Sequence, residues 1–118
     1  MRRILVTGSR YFDDAVAVEQ ALVRAAFGQH DIVIIHGDAP GADRLAKEAA
    51  RIYGWAVESH PADWRRHGKA AGPLRNAEMA AAGADICVAF PLQHSRGTYD
   101  MIDKARKAGI PVRIHGGG

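Results

Sequence analysis

The stretch "TGSR", Thr7 to Arg10, combines groups that can hold a phosphate. Gly8 and Ser9 offer backbone N–H groups, Ser9 adds a hydroxyl, and the Arg10 guanidinium can donate two parallel hydrogen bonds to one phosphate. A solvated surface arginine is the alternative interpretation. The stretch therefore needs support from its neighbours before it indicates a site.

A second stretch, "SRGT", resembles the first in kind. Gly97 allows a ligand to approach the backbone, and Ser95, Arg96 and Thr98 supply donors at the start of a helix, whose dipole favours an anion. Two such stretches facing each other across a crevice would favour a phosphate-bearing ligand.

The third glycine-bearing stretch is "HGDAPGAD", His36 to Asp43. Gly37 and Gly41 surround a predicted helix N-terminus, and Asp38 and Asp43 add carboxylates. The alternative is a tight strand-to-helix turn with Asp43 in the first helical turn. No Gly-Lys-Ser/Thr follows, so the stretch is not a Walker A loop.

The segment His60 to Met79 is the longest irregular stretch predicted. It mixes Trp64 with several cations, among them Lys69 and Arg75, which are the groups that bind bases and phosphates. A long loop in a small domain is often a binding loop or lid. The alternative is a packed tryptophan with a solvated basic rim.

Other chemistries find no support in the sequence. Cys87 is the single cysteine and lies within an apolar run, and the six histidines lack the H-x-x-x-H spacing. We therefore expect no metal site and no cofactor. Without a G-x-S-x-G elbow, acyl transfer is not expected either.

Alternating strands and helices must position these stretches. Apolar runs predict buried strands at 3–7, 31–36, 55–60, 85–90 and 111–115. Helical periodicity predicts helices at about 14–27, 42–53, 73–82 and 98–108. Continuous apolar strands alternating with helices predict an α/β fold: a single Rossmann-like three-layer sandwich with a mainly parallel five-stranded sheet.

The common strand order 3-2-1-4-5 places a ligand crevice between the first and fourth strands. In such sheets, ligands bind beyond the carboxyl ends of the strands, where the strand order reverses. The loops after strands one and four would border that crevice, and the loop after strand two would lie beside them. These are the three glycine-bearing stretches, so the topology and the motifs agree.

The composition is that of a single globular domain. With 118 residues, 47% hydrophobic and 25% charged, the chain reads as one domain over residues 1–115 with a tail at 116–118. Its net charge of +3 tolerates an anionic ligand without identifying one. The N-terminal apolar run of about four residues is too short for a signal peptide core or a membrane span, so we expect a cytoplasmic protein.

Four stretches in order, "LVTGSRYFDD", "HGDAPGADRLAKEAA", "HPADWRRHGKAAGPLRNAEM" and "HSRGTYDMI", resemble the YspA and YpsA-related branch of the SLOG superfamily. The resemblance covers nearly the whole chain. It implies binding of nucleotides or nucleotide-derived ligands, and it implies a homo-oligomer.

The same superfamily contains LOG phosphoribohydrolases, which cleave the N-glycosidic bond of nucleoside monophosphates. The chain matches their pattern at Arg75, Met79, Gly97 and Thr98, but Met101 stands where they carry a catalytic glutamate. A thioether cannot stabilise an oxocarbenium-like state. Arg75 with the displaced carboxylate of Asp100 would then be the catalytic pair.

Three functions follow as hypotheses. The first is binding, possibly sensing, of a nucleotide or nucleotide-derived ligand, the second is LOG-like hydrolysis, and the third is binding of single-stranded nucleic acid, which a DNA-processing protein A type in the same superfamily performs. The predicted ligand-binding residues are Gly8, Ser9, Arg10, Gly37, Asp38, Gly41, Asp43, Arg75, Asn76, Ser95, Arg96, Gly97 and Thr98.

Overall fold

The strand β1 (Arg2–Gly8) lies at the centre of a five-stranded sheet in the computed structural model, which describes residues 1–115. The sheet order is β3-β2-β1-β4-β5, and each adjacent pair is parallel. The other strands are β2 (Ile32–His36), β3 (Ala56–Ser59), β4 (Ile86–Phe90) and β5 (Val112–Ile114). The predicted fold class and strand order are confirmed.

Five helices accompany the strands in the part of the chain that the structure describes. They are α1 (Ala15–Ala26), α2 (Ala42–Tyr53), α3 (Trp64–His67), α4 (Ala71–Ala82) and α5 (Arg96–Lys107). Local chemistry sets several ends: the Asp14 carboxylate accepts a hydrogen bond from the Ala17 N–H at the start of α1, and Gly54 ends α2 at a φ of 73°.

Each face of the sheet is covered by its own pair of helices. On one face, Ile4, Val6 and Phe90 pack with α1 and α2 in one buried cluster. On the other face, Leu5 and Cys87 pack with residues of α4 and α5. Because both faces of the sheet centre are covered, β2 and β4 are buried at every residue and their apolar runs show no alternation. The edge strands β3 and β5 are largely exposed.

The segment 60–79 differs from the predicted long loop. It contains α3, a 3₁₀ turn at Gly68–Ala70 and most of α4, which begins two residues before the predicted start at Pro73. Proline fits there because residues in the first helical turn need no N–H for an intrahelical bond. The α3 helix spans only four residues, too few to show a helical period.

None of the helices among the described residues is long and apolar enough to cross a membrane. The predicted tail at 116–118 lies outside the described residues.

Candidate functional site

A cavity of about 880 Å³ opens beyond the carboxyl ends of β1 and β4. This is where the strand order reverses, and the cavity is bounded by the loops that follow both strands, by α4 as far as Met79 and by the first turn of α5. Its volume lies in the range of small-molecule sites. The predicted residues that line it are Gly8, Ser9, Arg10, Asp43, Arg75, Asn76, Ser95, Arg96, Gly97, Thr98 and Asp100.

In the β1–α1 loop, Ser9 holds the backbone in place. Its N–H donates to the Phe90 carbonyl at 3.0 Å, and its hydroxyl oxygen accepts from the Tyr11 N–H at 3.1 Å. The Ser9 carbonyl also accepts from the Ala42 N–H at 3.3 Å, which joins this loop to the start of α2. Ser9 thus supports the loop, and the exposed Arg10 is its charged group at the cavity.

The β4–α5 loop presents the start of α5 to the cavity. Ser95 closes the loop, because its hydroxyl oxygen accepts from the Leu92 N–H at 2.9 Å. The turn is tight enough to hold His94 at a φ of 62°. Gly97 and Thr98 lie in the first turn of α5, where backbone N–H groups have no acceptor within the helix. An added Cβ at Gly97 would meet nothing within 4 Å, so the space beside it is open.

The β2–α2 loop is held by a carboxylate of its own helix. Asp43 is 5% exposed, and its Oδ2 accepts from the Gly37 N–H at 3.0 Å and the Ala39 N–H at 3.3 Å. Burial raises the pKa of Asp43 to about 6, although these N–H groups and nearby Arg75 favour the carboxylate. The strand-to-helix turn with Asp43 in the first helical turn, stated above as the alternative, describes this loop.

The buried imidazole of His36 fixes the same loop from the other side. Its Nδ1 accepts from the Asp38 N–H at 2.8 Å, and its Nε2 lies 3.2 Å from the Ser59 hydroxyl. Because Nδ1 accepts, the proton of the neutral ring is on Nε2, where it donates to Ser59. Burial lowers the pKa of His36, which favours this neutral form.

Three of the predicted ligand residues lie outside the cavity lining: Gly37, Asp38 and Gly41. A side chain at Gly37 would collide with the Arg75 guanidinium, and one at Gly41 would collide with the backbone of Ser9 and Arg10. Gly41 also has a φ of 80°, which favours glycine. Asp38 lines a separate groove of about 390 Å³ beside α2, with Trp55 and Val57.

One hydrogen-bonded chain crosses the floor of the site from the β2–α2 loop to α5. Arg75 donates from Nη1 to the Gly37 carbonyl at 2.6 Å and from Nε to the Asn76 Oδ1 at 3.0 Å. The Asn76 amide nitrogen donates to the Gly97 carbonyl at 3.1 Å and to the Asp100 Oδ2 at 3.0 Å. The Asn76 side chain is therefore fixed in one orientation, with its oxygen towards Arg75.

The two residues of the predicted catalytic pair are joined only through Asn76. Lys104 donates to both carboxylate oxygens of Asp100 at 2.7 Å. Burial alone would raise the pKa of Asp100, but the hydrogen bonds from Lys104 and Asn76 outweigh it and lower the pKa. Met101, at the position of the absent glutamate, is fully buried in the core beneath α5.

The sequence analysis did not name every residue of the lining. Tyr11, Gln93, His94 and Pro73 also line the cavity, as do Trp64 and Lys69, the binding candidates named above in the segment 60–79. The first three follow strands β1 and β4 directly. Their position after those strands was the available signal, because the strand order brings both loops to the cavity.

Comparisons with known proteins agree with this architecture. The family described as "YspA, cpYpsA-related SLOG family" matches residues 2–67. The Gene 61 protein of Mycobacterium phage D29 is 50% identical over 121 residues, covering 95% of this chain and 94% of that protein.

A solved structure has the same fold. DNA processing protein A (DprA) from Streptococcus pneumoniae superposes with a TM-score of 0.76 at 22% identity, covering 100% of this chain and 51% of that one. The chain spans about half the length of that protein.

Proposed function

As the chain belongs to the YspA, cpYpsA-related SLOG family, we propose that it binds a nucleotide or a nucleotide-derived ligand in the cavity beyond β1 and β4. The observation that carries the proposal is the convergence of three cations and the first turn of α5 on one cavity at the reversal of strand order. The cations are Arg10, Lys69 and Arg96.

The charge balance of the cavity supports an anionic ligand. Besides the three cations, Arg75 lines it, and the acidic groups of the lining are Asp43 and Asp100. Asp100 is neutralised by Lys104, and Asp43 is buried against backbone N–H groups. The open part of the lining is therefore positive, which attracts a phosphate.

The phosphate is best accommodated on the β4–α5 side. The Gly37 and Ala39 N–H groups of the β2–α2 loop already bind the Asp43 carboxylate, while the first turn of α5 has free N–H capacity and open space at Gly97. Of the two carboxylates of the β2–α2 stretch, Asp43 lines the cavity and Asp38 does not.

Hydrolysis of an N-glycosidic bond has weaker support than binding. The carboxylate it requires, Asp100, is engaged by Lys104 and Asn76, and these bonds leave it poorly placed to stabilise charge on a sugar. Binding of single-stranded nucleic acid has support from the basic α3 segment alone, which carries Arg65 and Arg66 beside the cavity residue Trp64. Nucleotide binding uses more of the observed lining.

Calorimetry and mass spectrometry together test the proposal. Small molecules released from the natively purified chain are identified by mass spectrometry, and AMP, GMP, CMP, UMP and ADP-ribose are titrated into the purified chain. We expect at least one to bind, and Arg10→Gln or Arg96→Gln to weaken that binding roughly tenfold, the usual effect of losing a charged hydrogen bond.

Arg24→Gln is the matched control, because Arg24 is an exposed arginine of α1 that does not line the cavity. The proposal is wrong if no copurifying nucleotide is found and none of the five probes binds. Light scattering on the same sample tests the self-association that the family resemblance implies.

A further inference from the structure

We infer that the Trp64 indole is the platform on which the base of the ligand stacks, so that the ligand lies with its base at α3 and its phosphate at the first turn of α5. This inference rests on the proposed function and adds to it the direction of the ligand in the cavity and the residue that binds its base. The ligand must carry a planar aromatic base as well as a phosphate.

Trp64 does not serve the hydrophobic core. It is 59% exposed and belongs to neither of the two buried clusters, and α3 buries none of its residues. Tryptophan is among the largest apolar side chains, so leaving it exposed forgoes a considerable stabilisation. Its exposed surface instead forms part of the cavity lining.

A glycine positions the ring against α4. Gly72, in the first turn of α4, is buried, and an added Cβ there would lie 3.3 Å from the Cη2 of Trp64. The edge of the indole thus rests on the helix backbone at Gly72. A methyl group at this position would make a close contact with the ring, which the absence of a side chain at Gly72 avoids.

The short helix that carries Trp64 is fixed at both ends. The Asp63 carboxylate accepts from the Arg66 N–H at 3.1 Å, and the Gly68 N–H donates to the Trp64 carbonyl. A platform held before the ligand arrives loses little conformational freedom on binding, which favours affinity.

The spacing between the ring and α5 suits a nucleotide. Gly72 and Asn76 are one turn apart on α4, which corresponds to about 6 Å along the helix axis. The Asn76 amide nitrogen in turn lies 3.1 Å from the carbonyl oxygen of Gly97, in the first turn of α5. A ribose can bridge this interval between a base on Trp64 and a phosphate at Gly97.

Tyr11, the other aromatic residue at the cavity, is less suited to this role. It is 78% exposed, and the Arg10 guanidinium lies 5.9 Å from its ring centroid. Tyr11 is therefore placed beside a cation that we assign to the phosphate.

Fluorescence reads out the stacking directly, because the chain has two tryptophans. Trp55 lies outside the cavity and stacks on Tyr53 at a centroid distance of 4.8 Å. In Trp55→Phe, Trp64 is the single tryptophan. We expect its emission to be quenched by AMP, GMP, CMP or UMP and to be unchanged by ribose 5-phosphate, which carries the phosphate without a base.

Calorimetry on Trp64 variants completes the test. We expect Trp64→Ala to weaken the best-binding nucleotide roughly tenfold or more, the usual effect of losing one base stack, and to leave ribose 5-phosphate binding unchanged. Trp64→Phe should retain most of the nucleotide affinity, and circular dichroism should show the same fold in all variants.

The outcomes separate the two proposals. If nucleotides bind no more tightly than ribose 5-phosphate, or if Trp64→Ala leaves nucleotide binding unchanged, the stacking inference is overturned while the phosphate site stands. If no nucleotide copurifies and neither the five nucleotide probes nor ribose 5-phosphate bind the unmodified chain, the proposed function fails and the stacking inference fails with it.

Discussion

The Asn76 amide nitrogen donates to the Asp100 carboxylate at 3.0 Å, and this contact decides what Asp100 can do. Together with Lys104 on its other side, the amide holds the carboxylate as part of the scaffold that orients Arg75. Asp100 therefore holds Asn76, and through it Arg75, in position.

Asp100→Asn should weaken ligand binding several-fold without abolishing it. The change removes the ion pair with Lys104 and replaces a charged acceptor of the Asn76 amide with a weaker neutral one, so that Asn76 holds Arg75 less firmly. Because the Asp100 side chain is 35% exposed, we expect the free energy of unfolding to fall by only about 1 kcal/mol. Denaturant unfolding and calorimetry measure the two effects.

Asp103→Asn is the matched control for that variant. Asp103 forms the same i,i+4 pair on α5, with Lys107, but its side chain is 62% exposed. We expect its unfolding free energy to change by less than about 0.5 kcal/mol. Equal effects of the two substitutions would contradict the scaffold role of Asp100.

The difference in unfolding free energy between the native chain and Asp43→Asn should depend on pH. The folded pKa of about 6 exceeds the ordinary value of 3.8, so protonation stabilises the folded chain at low pH. That stabilisation is lost as the pH rises through about 6, and its upper bound is about 3 kcal/mol. We therefore expect the difference between the native chain and Asp43→Asn to become less favourable to the native chain from pH 4 to pH 7.

Denaturant unfolding of both proteins at each pH measures this difference. His36 is present in both proteins, so its contribution to the pH dependence cancels to first order. The asparagine Oδ1 of the variant can still accept from the Gly37 and Ala39 N–H groups. Parallel pH profiles would contradict the raised pKa of Asp43.

Gly97→Ala and Gly41→Ala should fail in different ways. The added methyl at Gly97 meets open space, so the melting temperature should hold while ligand affinity falls roughly tenfold, since the methyl occupies cavity volume. The methyl at Gly41 would meet the backbone of Ser9 and Arg10 at a positive φ. We expect an unfolding free energy lower by at least about 2 kcal/mol.

Thermal unfolding and calorimetry distinguish the two variants. A Gly97→Ala protein that binds ligand as tightly as the native chain would place the ligand away from α5.

Gly37→Ala should act on the ligand through Arg75. A methyl at Gly37 would displace the Arg75 guanidinium from the Gly37 carbonyl. We expect Gly37→Ala and Arg75→Ala each to weaken binding roughly tenfold, and the double variant to be no weaker than either. Additive losses in calorimetry would show that the two residues contribute independently.

The sheet could be predicted because strands that are buried on both faces appear in the sequence as continuous apolar runs. Strands β2 and β4 are buried at each of their residues, and this burial appears in the sequence as short, continuous apolar runs. α3 could not be predicted in the same way, because its four residues carry no period and bury nothing. Its capping residues, Asp63 and Gly68, are common in loops as well.

The sequence predicted which loops border the candidate site, but it did not predict the roles of the individual glycines in them. Gly37, Gly41 and Gly97 look alike in sequence, since each lies where a strand passes into a helix. What separates them is which side chain or backbone lies opposite: Arg75, the Ser9 carbonyl, or open space. That depends on contacts between residues far apart in the chain, which local sequence patterns do not record.

The carboxylate of Asp43 also bears on the exchange of amide hydrogens with solvent. The Gly37 and Ala39 amides lie in a loop at the edge of the sheet, yet both donate to a buried oxygen. Hydrogen exchange at these two positions should therefore be slow in the free chain, and ligand binding should add little protection. In the first turn of α5, the amides of Gly97 and Thr98 should exchange quickly in the free chain and slow down when they take up a ligand.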